Sequence, residues 1–141
     1  MISKAFISGL STMLAVPLAL AAGIPVQPGL WEMTSTMTLP ILPEPRVTTT
    51  ADCMEKSEIS MDDMGTAGLD PNCTFEIDQV DGKTLKWSFD CPAEGGTSHG
   101  EWMAVSEGDS ISGSGLMTMS FQGQAMEMTM AWEGKRVGDC P

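Results

Sequence analysis

Methionine is the residue type in this sequence that most suggests a chemical role. Of the 13 methionines, all but Met1 and Met13 lie beyond residue 22, and several recur at every second position. Thioether sulfur is a soft ligand that selects Cu(I). The candidate metal ligands are Met117, Met119, Met126, Met128, Met130 and His99.

The same alternating positions are also those that a sheet would bury. Met33 and Met37 follow this pattern in an earlier segment. Methionine fills irregular apolar space well because its side chain is flexible and polarisable. The alternation favours a packed core, and a deformable apolar ligand cavity and a copper site remain as alternatives.

No set of residues points to catalysis. His99 is the only histidine and the chain has no tyrosine, whereas nucleophilic catalysis needs a nucleophile with a base in reach. The acidic residues between positions 55 and 70 have neither the spacing nor the glycine of an EF-hand. We therefore assign no catalytic residue and no cofactor, and we expect a protein that is not an enzyme.

The first 22 residues are predicted to be a signal peptide. Lys4 is followed by an apolar stretch over residues 5–20, and Ala19-Leu20-Ala21 forms a small-residue cleavage site, with Leu20-Ala21-Ala22 as the neighbouring option. The apolar stretch is short for a membrane span and no basic cluster follows it, so no stable membrane anchor is expected. Residues 23–141 are then predicted to be a single β domain that is periplasmic or secreted.

The charge of the chain limits its partners. The net charge is −12, and removal of Lys4 with the signal peptide gives 6 − 19 = −13. Nucleic acids and anionic membranes attract clusters of Lys and Arg, so neither is an expected partner. The sequence does not identify a partner.

Period-2 alternation dominates residues 23–141 and predicts an all-β fold. Trp31–Leu39 is one such strand, and a β-branched run from Val47 leads into Cys53. Further hairpins follow after residue 72, whereas residues 54–72 indicate a short helix or a long loop. We predict about seven strands in an antiparallel meander that is strongly curled or barrel-like.

Matching apolar faces predict the register of each hairpin. Ile77 is placed opposite Trp87 and Phe75 opposite Phe89, with a connection of three or five residues. In the next two hairpins the predicted pairs are Ala104 with Ile111, Trp102 with Gly113, Met119 with Met128, and Met117 with Met130.

The four cysteines are predicted to form two disulfides. Their spacings of 20, 18 and 49 residues lack the close pairs of a zinc site, and an even count in an exported chain is typical of disulfides. The register of the first hairpin places Cys73 opposite Cys91. The pair Cys53–Cys140 follows by elimination.

Several short motifs together resemble a known family of exported bacterial proteins. They are Pro28-Gly29-Leu30-Trp31-Glu32, Thr48-Thr49-Thr50 before Cys53, Trp87 before Cys91, the Met/Thr alternation through Met130, and Arg136-Val137-Gly138-Asp139-Cys140. The combination resembles the family catalogued as domain of unknown function 3617. The resemblance implies an all-β domain in the periplasm or outside the cell, and it implies no enzymatic activity, cofactor or catalytic residue.

The residues and the resemblance lead to one leading expectation for function. We expect a non-enzymatic β-sheet protein of the cell envelope that binds a small apolar ligand or a protein partner. The alternative is a periplasmic protein that binds copper through its methionines.

Overall fold

The structure is a computed structural model that describes residues 23–60, 63, 70–79, 81–93 and 95–141. The predicted signal peptide lies outside these residues, and so does most of the segment predicted as a short helix or long loop. Within the described ranges, no helix is long and apolar enough to cross a lipid bilayer.

Nine strands make up the described fold. They are β1 (Gly23–Pro25), β2 (Gly29–Thr38), β3 (Arg46–Met54), β4 (Glu58–Ser60), β5 (Thr74–Gln79), β6 (Thr84–Ala93), β7 (Gly96–Ser106), β8 (Ser110–Phe121) and β9 (Gln124–Gly138). Strand β4 lies inside the segment for which the sequence predicted a helix or loop.

Seven of these strands form one antiparallel sheet in the order β3-β2-β9-β8-β7-β6-β5. The predicted all-β, seven-stranded antiparallel sheet is therefore confirmed. The order differs from a simple meander, because the hairpin β2–β3 adds to the far side of β9 rather than preceding β5. Strands β3 and β5 are the two edges, and the described part of the chain shows neither barrel closure nor a strong curl.

A second, two-stranded sheet explains why the large sheet need not close. Strand β1 pairs with β4, and β1 contacts β6 and β7. Ile24 and Val26 are buried there, and Ile59 packs against the same cluster. The small sheet thus covers one end of the apolar face, which a barrel would otherwise have to bury by closure.

The core lies under this cover. Its buried residues are Ile24, Val26, Trp31, Leu85, Trp87, Ala104 and Ile111. Ser106, also buried, donates a hydrogen bond to the Pro25 carbonyl, and the backbone N–H of Val26 donates to the Ser57 carbonyl (3.0 Å). The bond from Ser106 fixes the small sheet on the large one, whereas the bond between Val26 and Ser57 extends the pairing of β1 with β4.

The β5–β6 register agrees with the sequence prediction. Ile77 lies opposite Trp87 and Phe75 opposite Phe89, and five residues separate the last pair, Gln79 and Leu85. Cys73 and Cys91 have Cα atoms 4.2 Å apart.

The other two predicted registers are wrong by two residues. Ala104 lies opposite Gly113 rather than Ile111, and Trp102 lies opposite Gly115 rather than Gly113. The connection before β8 is longer than expected, because Ser106 pairs with Ile111 and four residues lie between them, where the predicted register left only two. A shift of two residues keeps every side chain on its predicted face.

The hairpin between β8 and β9 is shifted in the opposite direction, because its turn is tighter than expected. Met117 lies opposite Met128 and Met119 opposite Met126. The turn contains only Gln122 (φ 49°) and Gly123 (φ 80°), because Phe121 already pairs with Gln124. Two successive positive φ angles are typical of the tight turns that match strand twist, and they replace the four-residue loop that apolar matching favoured.

Candidate functional site: an aromatic cavity

Three tryptophans cluster on one face of the large sheet. We call the side that carries Trp87, Trp102 and Trp132 the tryptophan face, and the other side the opposite face. The rings of Trp87 and Trp102 stack with centroids 6.3 Å apart and an interplanar angle of 10°. Trp132 is tilted against both, at 6.4 Å and 5.8 Å. Such offset and tilted arrangements stabilise aromatic pairs beyond their buried area.

Glycines provide the space for these rings. A Cβ atom at Gly115 would overlap the ring of Trp102, and one at Gly113 would overlap the ring of Trp132. The two indoles therefore lie directly on glycine backbone. Any side chain at these positions would push the rings away from the sheet and change the shape of the surface.

A cavity of about 760 Å³ opens beside the cluster. Its volume is within the range of 300–1,000 Å³ that is typical of small-molecule sites. Its lining is aromatic and apolar over the sheet, with charged residues contributed by β3 and the following segment. The lining residues are Trp31, Met33, Asp52, Cys53, Met54, Lys56, Glu58, Ile59, Asp63, Phe75, Trp87, Phe89, Trp102, Ile111, Met130 and Trp132.

One polar atom of this lining has no partner. The Nε1 atom of Trp102 is buried, and no described residue accepts a hydrogen bond from it. Trp31 differs, because its Nε1–H donates to the Gln27 carbonyl at 2.9 Å. Buried indole N–H groups usually find an acceptor. This N–H has almost no accessible surface, so it lies beneath the cavity wall and does not face the cavity.

The charged part of the lining is mainly acidic. Lys56 forms an ion pair with Asp63, which also accepts hydrogen bonds from the backbone N–H (3.0 Å) and the hydroxyl (2.8 Å) of Ser60. The hydrogen bond from Lys56, supported by those from Ser60, lowers the pKa of Asp63 to about 2. Asp52 and Glu58 add further carboxylates. Among the described lining residues Lys56 is the only cation, and Asp63 already neutralises it.

The methionine row of the sequence analysis lies apart from the core. Met117, Met119, Met126 and Met128 share the tryptophan face, but they are half-buried or, for Met126, 38% exposed. Among them and Met130, only Met130 lines the cavity. The alternation favoured a packed core for this row, but the row lies outside the core cluster, because the small sheet covers the other end of the face.

His99 does not join the methionines. Adjacent residues of a strand point to opposite faces, and Gly100, not His99, pairs with Met117. His99 therefore lies on the opposite face and cannot share a metal with the row. The predicted ligand set is reduced to methionines alone.

On the opposite face, His99 contacts two carboxylates. Its Nδ1 lies 2.8 Å from Asp90 Oδ1 and its Nε2 lies 3.8 Å from Glu101 Oε1. The hydrogen bond with Asp90 is the main cause that raises the pKa of His99 above its ordinary value of 6.5, with Glu101 adding a smaller effect. The three groups are exposed, so this is a surface charge cluster rather than a buried catalytic site.

We expect the Asp90→Asn variant to lower the pKa of His99 toward 6.5. Because the folded pKa is raised, the stabilisation from His99 is fully present below the unfolded pKa and is lost as the pH rises through the folded pKa. An NMR titration of the imidazole protons of folded protein measures the shift. Asp109→Asn is the control, and an unchanged pKa in Asp90→Asn would contradict the assignment.

The opposite face also carries a larger but shallower groove of about 1070 Å³. Its side chains include Thr36, Glu76, Asp78, Lys86 and Glu101. Most of these groups are polar and already solvated, and none of the tryptophan rings lies on this side. Although it is larger, this groove offers fewer apolar contacts than the aromatic cavity, which we take as the candidate site.

Two of the motifs noted in the sequence meet at one structural junction. Leu30 of the segment Pro28–Glu32 pairs with Gly138 of the segment Arg136–Cys140. Arg136 Nε donates to the Pro28 carbonyl (2.7 Å), and its Nη2 donates to Asp139 (2.6 Å). These motifs therefore hold β2 on β9, and they contribute structure rather than reactive groups.

Comparison with known proteins identifies a family and nothing more specific. A family model described as "Protein of unknown function (DUF3617)" matches residues 26–140. No curated protein and no solved structure matches the chain.

Proposed function

Since the chain belongs to the DUF3617 family of proteins of unknown function, we propose its function from the cavity: it binds an uncharged, apolar small molecule. The observation that supports this proposal is the cavity of about 760 Å³, whose wall over the large sheet is aromatic and apolar. The apolar body of such a ligand would cover the indole rings.

The charges of the site favour a neutral ligand. Asp52, Glu58 and Asp63 contribute carboxylates, and Lys56 is paired with Asp63. A ligand carboxylate or phosphate would meet this negative lining without a free cation. An alcohol, ketone or ester with a hydrocarbon body avoids that repulsion.

The proposed location is the periplasm or the extracellular space. The two cysteine pairs have Cα separations of 5.4 Å and 4.2 Å, as disulfide-bonded cysteines do. Disulfides are typical of proteins in oxidising compartments. The predicted signal peptide leads to the same location. In that setting the protein would sequester or carry an apolar molecule of the envelope, without chemical conversion of it.

Copper binding remains the second candidate for one specific reason. Met117 and Met119 lie directly opposite Met128 and Met126 on adjacent strands, so that four thioethers share one face. Soft sulfur ligands suit Cu(I). This candidate ranks below the cavity because His99 lies on the other face, which leaves a set of thioethers alone.

A titration with the neutral fluorescent dye N-phenyl-1-naphthylamine tests the proposed function. We expect saturable binding at one site per chain, with quenching of tryptophan emission and displacement of the dye by 1-decanol.

A matched pair of methionine variants locates the site. Met54→Trp places a large ring inside the cavity and should weaken binding of the dye at least about tenfold. Met103→Trp makes the same substitution on the opposite face, where Met103 is 37% exposed, and should leave binding unchanged. Absence of saturable binding, or equal effects of the two variants, would refute the proposal.

A further inference from the structure

Strand β3 is a long and regular free edge of the large sheet. Its residues 46–54 pair with β2 on one side only. Residues 46–53 are all exposed. No proline interrupts the strand, and its pairing with β2 shows no register shift. Such an edge presents unpaired N–H and C=O groups to another strand, and proteins usually protect it with proline, lysine or a bulge.

The charges of this edge are self-complementary. Arg46 and Asp52 lie at its two ends on the same face of the sheet, since they oppose Met37 and Trp31 of β2. Neither side chain forms an ion pair with any described residue. If two copies of β3 pair antiparallel about Thr49, Arg46 of each copy lies directly opposite Asp52 of the other.

The remaining positions of that register are compatible as well. Val47 lies opposite Ala51, and Thr48 lies opposite Thr50. Apolar and threonine pairs of this kind stabilise antiparallel strands. The register ends at Pro45, which has no backbone N–H, and at Cys53, which is held to Cys140.

We propose that β3 is a dimerisation edge that joins two copies of this chain into one continuous antiparallel sheet with a two-fold axis at Thr49. This inference does not depend on the ligand. The interface consists of one pair of strands, so it is small, and the dimer forms in a concentration-dependent manner.

The other free edge does not fit a second copy in the same way. Strand β5 carries Glu76 and Asp78 on one face. A two-fold pairing about Glu76 opposes Glu76 to itself, and a pairing about Ile77 opposes Glu76 to Asp78. Like charges directly opposite each other destabilise a strand pair. The two edges therefore differ, and only β3 is self-complementary.

Charge reversal with rescue tests the dimer. Sedimentation equilibrium of the oxidised protein at concentrations up to about 1 mM should show a monomer–dimer equilibrium for the wild type. Arg46→Asp and Asp52→Arg each place like charges opposite each other twice per dimer, so each should raise the dissociation constant at least about tenfold. The double variant Arg46→Asp/Asp52→Arg restores both pairs and should return the constant to near the wild-type value.

Glu76→Lys is the control, because it changes charge by the same amount on the other edge and should leave the dissociation constant of the β3 dimer unchanged. Circular dichroism of each variant verifies that the fold is intact. A wild type that stays monomeric, which would leave the edge to another protein, overturns the proposal. A dimer that is insensitive to Arg46→Asp, or that the double variant fails to restore, also overturns it.

Discussion

Replacing Cys53 and Cys140 together by serine is expected to lower the free energy of unfolding by about 4 to 5 kcal/mol. The two residues are separated by 87 positions, and their Cα atoms lie 5.4 Å apart. A cross-link over so long a segment removes much of the conformational entropy of the unfolded chain. A small domain is stable by only about 5–15 kcal/mol, so this change removes a large share of its stability.

Urea unfolding followed by circular dichroism measures the loss. The matched control replaces Cys73 and Cys91 by serine. Their disulfide closes a segment of only 18 positions, so its removal should cost about 3 kcal/mol of stability. Peptide mapping without reduction identifies the linked pairs in the wild type. A linked Cys53–Cys73 peptide, or a larger loss in the control than in Cys53→Ser/Cys140→Ser, would contradict this expectation.

The sequence was sufficient to predict those features that depend on matching two apolar faces. Phe75 and Ile77 must lie on the same side as Phe89 and Trp87, and only a few registers satisfy that condition. The same register places Cys73 beside Cys91, where the structure also has it. The all-β class followed from period-2 alternation over most of the chain.

Turn geometry limited how well the registers of the other two hairpins could be predicted from the sequence. Facing side chains are unchanged by a shift of two residues, so alternation alone cannot distinguish Met119 opposite Met128 from Met119 opposite Met126. The decision depends on whether Gln122 and Gly123 both adopt positive φ. Glycine favours that conformation, but a glutamine beside it gives little indication of a two-residue turn.

Packing between segments that are distant in the sequence was the second feature that could not be predicted. The sequence gives no local signal that Gly23–Pro25 pairs with Glu58–Ser60, since both strands are only three residues long. Without this cover, the whole apolar face must be buried by curling, and the prediction of a barrel-like sheet followed from that reasoning. The small sheet and its contacts at Ile24 and Ile59 make such closure unnecessary.

The candidate site was missed for a related reason. The candidate site residues predicted from the sequence were methionines at one end of the tryptophan face, whereas the cavity depends on tryptophans from three strands. A signal was present, because Gly113 and Gly115 alternate on the strand that faces Trp102 and Trp132. Alternating glycines in a strand indicate the close approach of large rings. The unused donor of Trp102 could only be found once its surroundings were known.

Trp31→Ala is expected to lower the free energy of unfolding by about 3 to 5 kcal/mol. Trp31 is 1% exposed and lies in the core cluster. Its Nε1–H donates to the Gln27 carbonyl at 2.9 Å, which fixes the connection between β1 and β2. The variant therefore loses buried area, leaves a cavity and releases the end of the small sheet. Urea unfolding followed by circular dichroism measures the change.

Two other variants separate this structural role from ligand binding. Trp31→Phe keeps an aromatic ring and removes the hydrogen bond, so it should cost less than Trp31→Ala. Trp132→Ala removes a half-buried ring from the cavity wall. It should lower the free energy of unfolding less than Trp31→Ala does, but it should weaken binding of the dye at least about tenfold. The two tryptophans differ in this way because the small sheet covers Trp31, whereas Trp132 remains open to a ligand. If Trp132→Ala destabilised the protein as much as Trp31→Ala and bound the dye normally, the aromatic cluster would be core rather than a binding surface.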